Sequence, residues 1–143
     1  MIAYSSDFFV NRLVKEWLKH ERLIIAVDLD DTIIPYNPEL VESCKEVVQL
    51  LKDCESVGTV LIINTARQES KHESSMQQVR DLGLTPVAIN KTPEWLELPF
   101  GKAGKVYANI FLDDRGGLAT TTMQLRRALE IVKHMREQES IKL

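Results

Sequence analysis

Short apolar runs that end in polar side chains are the feature of this sequence that most restricts its fold. The first run, residues 23–27, is followed at once by Asp28, and the second, residues 59–63, is followed by Asn64 and Thr65. A continuous apolar run of about five residues is typical of a strand that is buried on both faces, as in a parallel sheet. The sequence therefore predicts parallel strands whose carboxyl ends carry polar groups.

Helical patterns alternate with these strands along the chain. Helices are predicted over residues 7–20, from Asn37 to about 55, over 68–82 and from about 118 onward. Further strands are predicted at 86–89 and 106–112, and residues 91–105 are expected to form a loop. This alternation predicts an α/β protein with a three-layer, Rossmann-like arrangement, in which helices cover both sides of a central, mainly parallel sheet.

The length of the chain bounds its organisation. Its 143 residues fit one domain, predicted to span 1–143 with a core at about 20–138 and a helix at about 7–20 in front of it. Residues 33–58, between the first two strands, and residues 66–101, after the second strand, are each fully taken up by the predicted helices, strands and loops. Neither stretch leaves room for an additional folded unit over the sheet.

Polar residues from three strands are expected to meet at one edge of the sheet. Asp28 and Asp30 follow the first strand, Thr65 follows the second, and Asp113 with Asp114 follows the last. Ligands of parallel α/β sheets bind in the crevice beyond the carboxyl ends of the strands. The sequence thus predicts a site assembled from segments far apart in the chain.

Carboxylates gathered in this way favour a divalent cation. Asp28 and Asp30 are two residues apart, so an extended backbone presents them on one side, and Asp113 adds a third acid. Crowded carboxylates repel one another and raise their own pKa values, which a bound cation relieves. All-oxygen ligands suit Mg²⁺, and no histidine or cysteine stands nearby to recruit zinc.

The same residues suit phosphoryl transfer. A carboxylate beside a metal can act as a covalent nucleophile toward phosphate. The Thr65 hydroxyl and the backbone amides after it, beginning at Ala66, offer hydrogen bonds to the phosphoryl oxygens, and a lysine is expected to complete the phosphate site. Asp30 can protonate the leaving oxygen and then deprotonate water, which contributes ~10²–10⁴ in rate.

Together these segments resemble the haloacid-dehalogenase-like (HAD) superfamily of phosphohydrolases. The matching motifs, in order, are an apolar strand followed by Asp28-Leu-Asp30-Asp-Thr32, a strand ending in Thr65, a lysine, and a strand ending in Asp113-Asp114. The resemblance covers about residues 23–120 and lies outside the first predicted helix. It implies a HAD-like fold and, because no cap domain fits in the chain, a member of the small capless type.

The resemblance also implies a role for each matching residue. Asp28 would be the nucleophile and Asp30 the general acid and base. Mg²⁺ would be held by the Asp28 carboxylate, the Asp30 backbone carbonyl and Asp113, with Asp114 close behind. For the phosphate-binding lysine, Lys105 stands eight residues before Asp113 as in short family members, and Lys102 is the alternative.

The resemblance predicts a Mg²⁺-dependent phosphomonoester hydrolase, and two other functions are weighed against it. A non-catalytic phosphate- or metal-binding module with this fold is the first. The second is a phospho-receiver switch, which places its acidic pair on the first strand, a single phosphorylated Asp on the third and its lysine last. This chain has Asp28 and Asp30 first and its lysine before Asp113, so the order argues against a receiver.

Composition limits the expected partners. A net charge of −3 gives no sign of an extended nucleic-acid surface but leaves a phosphorylated nucleic-acid end among the substrates considered, beside small-molecule phosphates. No signal peptide or membrane span is recognised, so a cytoplasmic location without a membrane partner is expected. An open site also allows a homo-oligomer in which a neighbouring subunit covers the substrate. Arg67 and Arg115 are interpreted as surface or salt-bridging residues, although Arg67 could reach a substrate phosphate.

Overall fold

The structure is a computed structural model that describes residues 6–101 and 104–142. The strands are β1 (Leu23–Val27), β2 (Thr59–Ile63), β3 (Pro86–Ile89) and β4 (Ile110–Leu112). The helices are α1 (Ser6–His20), α2 (Val41–Glu55), α3 (His72–Asp81) and α4 (Leu118–Lys142). Short 3₁₀ turns, Pro38–Leu40 and Glu69–Lys71, lead into α2 and α3.

The four strands form one parallel sheet in the order β3-β2-β1-β4. In its register Val27 of β1 lies beside Ile63 of β2 on one side and Leu112 of β4 on the other. The three strands therefore end at the same level. The amide of Asp28 donates to Leu112 O at 2.9 Å and that of Asn64 donates to Val27 O at 2.9 Å, which extends the ladder one residue further.

The two faces of the sheet have different coverings. Leu23, Ile25 and Val27 point to a face where buried side chains of all four helices pack. On the opposite face, Ile24 and the matching residues of β2 pack against the segment 91–108, chiefly through Leu96. This arrangement confirms the predicted α/β class with a three-layer, Rossmann-like organisation, but within the described residues the third layer contains no helix.

Local signals in the sequence explain where α2 and α3 begin and end. Asn37 caps the turn before α2, because its side-chain oxygen accepts a hydrogen bond from the Glu39 amide at 3.0 Å, and Pro38 occupies the first turn as predicted. After α3 the chain turns at Gly83, whose φ of +91° suits a residue without a Cβ atom. The predicted end of each helix agrees with the structure to within a residue, whereas α2 and α3 begin about four residues later than predicted, because 3₁₀ turns at Pro38–Leu40 and Glu69–Lys71 precede them.

The fourth strand is shorter than the predicted span 106–112. Residues 106–108 pack on the face of the sheet opposite the helices instead of extending in the plane of the sheet. Asn109 ends this stretch: its side-chain oxygen accepts from the Ile24 amide at 2.7 Å, and its amide donates to Ile24 O at 2.8 Å. Its carbonyl accepts from Arg12 of α1 at 3.0 Å, so the strand pairs regularly only from Ile110.

The connections around the sheet are compact in the part of the chain that the structure describes. Between β1 and α2 there is only a tight loop and one 3₁₀ turn, and between α3 and β3 a short turn. Trp17 is 0 % exposed and its indole N–H donates to Gly58 O at 2.9 Å, so α1 is fixed to the opposite end of the sheet from Asp28. None of the helices within the described ranges is long and apolar enough to cross a bilayer.

Candidate functional site

Three carboxylates meet at the carboxyl edge of the sheet. Asp28 follows β1, and Asp113 and Asp114 follow the adjacent β4; one oxygen from each lies within 4.8 Å of the other two. The shared register of Val27 and Leu112 explains the convergence, because each strand delivers its next residue at the same level. The predicted meeting of these segments is therefore present in the structure.

A buried threonine connects the two acidic segments. Thr32 is 0 % exposed, and its hydroxyl oxygen accepts a hydrogen bond from the Asp114 amide at 3.0 Å. The same hydroxyl lies 3.4 Å from Asp28 Oδ2 and 3.5 Å from Asp114 Oδ1, so its single proton can be donated to either carboxylate. Thr32 was part of the predicted motif, but its bridging position could not be inferred from spacing.

The cluster carries negative charge, and Arg67 interacts with it electrostatically: the pKa of Arg67 is raised first by its hydrogen bond with Asp30 and also by the charges of Asp30 and Asp28. Burial of Asp28, its hydrogen bond with Asp114 and the charges of Asp113 and Asp114 raise the pKa of Asp28 to about 6. None of the three forms an ion pair with a described lysine, arginine or histidine. Asp113 Oδ1 also accepts from the Arg115 amide at 2.8 Å, which orients its carboxylate. Oriented, mutually repelling carboxylate oxygens are a donor set suited to a hard divalent cation.

Asp30 lies close in sequence but its carboxylate has a different partner. Arg67 binds it through two nitrogens: Nη2 donates to Oδ1 at 2.7 Å and Nε donates to Oδ2 at 3.2 Å. The Asp30 carboxylate is therefore outside the three-carboxylate cluster. Its predicted metal contact runs through the backbone carbonyl and stays a prediction, whereas the interpretation of Arg67 as a salt-bridging residue agrees with the structure.

Thr65 is held by a residue that the sequence analysis did not select. Asn90, directly after β3, accepts from the Thr65 amide at 2.7 Å and donates its side-chain N–H to Thr65 O at 2.8 Å. The Arg67 amide donates to Thr65 Oγ1 at 3.1 Å, while the Ala66 amide has no partner among the described residues. The residue type itself was a signal for Asn90, because asparagine tolerates the left-handed backbone that this position adopts, with φ of +55°.

The loop after β1 is fixed by the third acid of the motif. Asp31 has φ of +63°, and its Oδ1 accepts from the amides of Tyr36 and Asn37, each at 2.8 Å. The Asp31 side chain is thus occupied by its own loop. It stands beside Asp30 in sequence but has a structural partner, which makes it a natural control for the acids around it.

Of the two predicted lysines, Lys105 lies in the segment that packs on the face of the sheet opposite the helices. Lys105 is exposed, forms no ion pair with a described residue, and lines a pocket of about 630 Å³. Lys102 lies outside the described residues. The pocket is lined by Asn90, Lys91, Thr92, Pro93, Glu94, Leu96, Glu97, Leu98, Gly101, Gly104, Lys105 and Val106. Asn90 thus belongs both to this pocket and to the support of Thr65.

Fold and site define an α/β protein with a parallel sheet and a carboxylate cluster at the carboxyl edge. No family model matches the sequence, and no curated protein matches it either. A solved structure from Bacteroides thetaiotaomicron, titled as a conserved protein coded by a locus of that organism, is similar to this chain at 29% sequence identity. The alignment covers 67% of this chain and 78% of that one, with a TM-score of 0.44.

Proposed function

We propose that this protein is a Mg²⁺-dependent phosphomonoester hydrolase of the HAD type that works through a phosphorylated Asp28. The observation that carries the proposal is the convergence of Asp28, Asp113 and Asp114 within 4.8 Å, with no ion pair from a described residue to any of them. Such an arrangement is costly for the protein alone and favourable when a cation and a phosphate occupy it. The order of the four sequence motifs adds the family assignment.

The donor set fits magnesium. Asp28, Asp113 and the Asp30 backbone carbonyl would hold the ion, with Asp114 beside them, and every one of these groups offers oxygen. When bound, the cation offsets the negative charge that would otherwise keep a phosphate dianion away from a carboxylate. The remaining chemistry belongs to the side chains of the chain itself.

Two balanced steps complete the reaction. An Asp28 carboxylate oxygen attacks phosphorus, the bond from phosphorus to the leaving oxygen breaks, and the leaving oxygen takes a proton from Asp30. Water then attacks phosphorus of the acyl phosphate and gives its proton to Asp30, which releases inorganic phosphate and regenerates both carboxyl groups. Asp30 is thereby acid in the first step and base in the second.

The phosphoryl oxygens need hydrogen-bond donors. The hydroxyl of Thr65 and the Ala66 amide, which has no partner within the described residues, are placed at the end of β2 beside β1. Lys105 is the preferred lysine and Lys102 the alternative. In the described chain no added domain covers this edge, so the proposal includes small phosphomonoesters and phosphorylated macromolecular ends.

A pair of substitutions tests the proposal. Asp28→Asn should abolish Mg²⁺-dependent release of phosphate from p-nitrophenyl phosphate. It should also abolish the acid-stable acyl phosphate that rapid quenching traps on the wild-type protein. Asp31→Asn is the matched control, because asparagine keeps the oxygen that caps Tyr36 and Asn37 and tolerates the positive φ. A wild-type protein that releases no phosphate across a broad phosphomonoester panel, or an Asp28→Asn protein that stays active, would refute the proposal.

A further inference from the structure

The Arg67–Asp30 pair differs from the other ion pairs of the described residues. Its two hydrogen bonds, at 2.7 and 3.2 Å, come from adjacent nitrogens of one guanidinium group and reach both carboxylate oxygens. The Arg67 side chain is only 22% exposed, against 40% for Arg12, which reaches both oxygens of Glu16 from a single nitrogen, 45% for Arg127 and 70% for Lys45. Exposed single pairs contribute little to stability, whereas a bidentate arginine also fixes the geometry of its partner.

Helix α3 holds the arginine in turn. Its Nη1 donates to Ser75 Oγ at 3.0 Å and to Gln78 Oε1 at 2.8 Å, and Ser75 is 0 % exposed. The backbone is fixed as well, since the Arg67 amide donates to Thr65 Oγ1 and its carbonyl lies 3.0 Å from His72 Nε2. Four of the five guanidinium N–H groups therefore have protein acceptors, and one N–H on Nη2 has none among the described residues.

From these contacts we infer that Arg67 is a positioning residue for Asp30, oriented by Ser75 and Gln78 of α3; the inference rests on the proposed function. Each Asp30 oxygen accepts one N–H from Arg67 and keeps a second lone pair, where the proton exchanged with the leaving oxygen or with water can sit. Binding of a substrate phosphate through two N–H groups of Arg67 would instead require the guanidinium to break a contact with Asp30 or α3.

The dependence of the rate on the leaving group separates these two roles. Phenyl phosphate has a poorer leaving group than p-nitrophenyl phosphate and therefore needs the proton from Asp30 more. Arg67→Gln should lower kcat/KM for phenyl phosphate about 100-fold and for p-nitrophenyl phosphate less than about 10-fold. The inhibition constant of inorganic phosphate should change less than about 3-fold. Equal losses for both esters, with phosphate binding weakened about 10-fold or more, would overturn the inference.

A double-mutant cycle gives a second, independent readout. If Arg67 acts through Asp30, Arg67→Gln should change the p-nitrophenyl phosphate rate of an Asp30→Asn protein by less than about 3-fold. Multiplying losses would show separate roles and overturn the inference. Arg67→Lys should resemble Arg67→Gln, because an ammonium group cannot supply the two-pronged contact. Full recovery by lysine would count against positioning.

Controls tie the effect to this contact. Arg80, exposed on α3 and free of ion pairs with described residues, serves as the matched arginine, and Arg80→Gln should leave both esters unaffected. Ser75→Ala removes one anchor and should give the same leaving-group pattern at smaller size, which decides the question if Arg67→Gln fails to fold. A wild-type protein that is inactive on both esters overturns the proposed function as well. If wild type is active and the losses of the two single variants multiply in the double variant, only the inference is overturned.

Discussion

Replacement of Asn90 by alanine measures how firmly the sheet edge holds Thr65. The change removes two hydrogen bonds, at 2.7 and 2.8 Å, each contributing about 1 kcal/mol. Alanine also lacks the local side-chain hydrogen bonds that let asparagine adopt a φ of +55°, which costs about 1 kcal/mol more. The expected loss in the free energy of unfolding is therefore about 3 kcal/mol, a fall of roughly 10 °C in Tm for a chain of this length.

Urea unfolding of a short series separates the two contributions. Asn90→Gly loses the same hydrogen bonds but accepts the positive φ, so it should be destabilised by about 2 kcal/mol, less than the alanine variant. Asn64→Ala is the matched control, because the Asn64 side chain has no partner among the described residues; it should stay within about 0.5 kcal/mol of wild type. An alanine variant that loses under about 1 kcal/mol, or no more than the glycine variant, would refute this account of Asn90.

Three further outcomes are expected. The pKa of Asp28 is raised to about 6 from an ordinary 3.8. Without metal, the contribution of Asp28 to the free energy of unfolding is therefore complete below about pH 4 and is lost as the pH rises through about 6. Urea unfolding in EDTA should show this loss of stability in wild type and a smaller loss in Asp28→Asn. Mg²⁺ at 100 times its Kd should stabilise wild type by about 2.7 kcal/mol in a thermal melt. Asp113→Asn keeps the oxygen that accepts a hydrogen bond from the Arg115 amide, and it should lose most of that stabilisation. An unchanged stabilisation would exclude Asp113 as a ligand. Thr32→Val should destabilise by about 1–3 kcal/mol because the Asp114 amide loses its acceptor, whereas Thr32→Ser should be near wild type, and a tolerated valine would contradict that role.

Features that depend on local pattern could be predicted from the sequence. The carboxyl ends of β1 and β2 follow from apolar runs that stop at Val27 and Ile63, since a strand buried on both faces favours apolar residues until it ends; β2 itself begins with the partly buried Thr59. The start of α2 follows from Asn37 and Pro38, whose effects on the backbone are short-range. The convergence of Asp28 with Asp113 needed one more step, the parallel order of the strands, which alternation with helices supplies.

Features that depend on long-range contacts could not be predicted. Arg67 lies 37 residues from its partner Asp30, and no pattern near either residue distinguishes this pair from a solvent-exposed charge. Nothing local shows that residues 106–108 turn onto the face of the sheet, because the apolar side chains that pack there would equally suit a strand. The same holds for the absence of a described helix on that face, where described residues of 91–101 and 104–108 pack instead.

Under the proposed function, the segment on this face would influence the choice of substrate, and the carboxylate cluster would carry out the chemistry. A helix lying on the sheet would repeat its contacts every turn, and most changes to it would disturb the strands beneath. Here Leu96 makes the main buried contact, while Trp95, at 63% exposed, and Phe100, at 58%, project outward beside the pocket. Under the proposed function, substitutions at these two positions would change what docks on this face and leave the carboxylates at the strand ends in place.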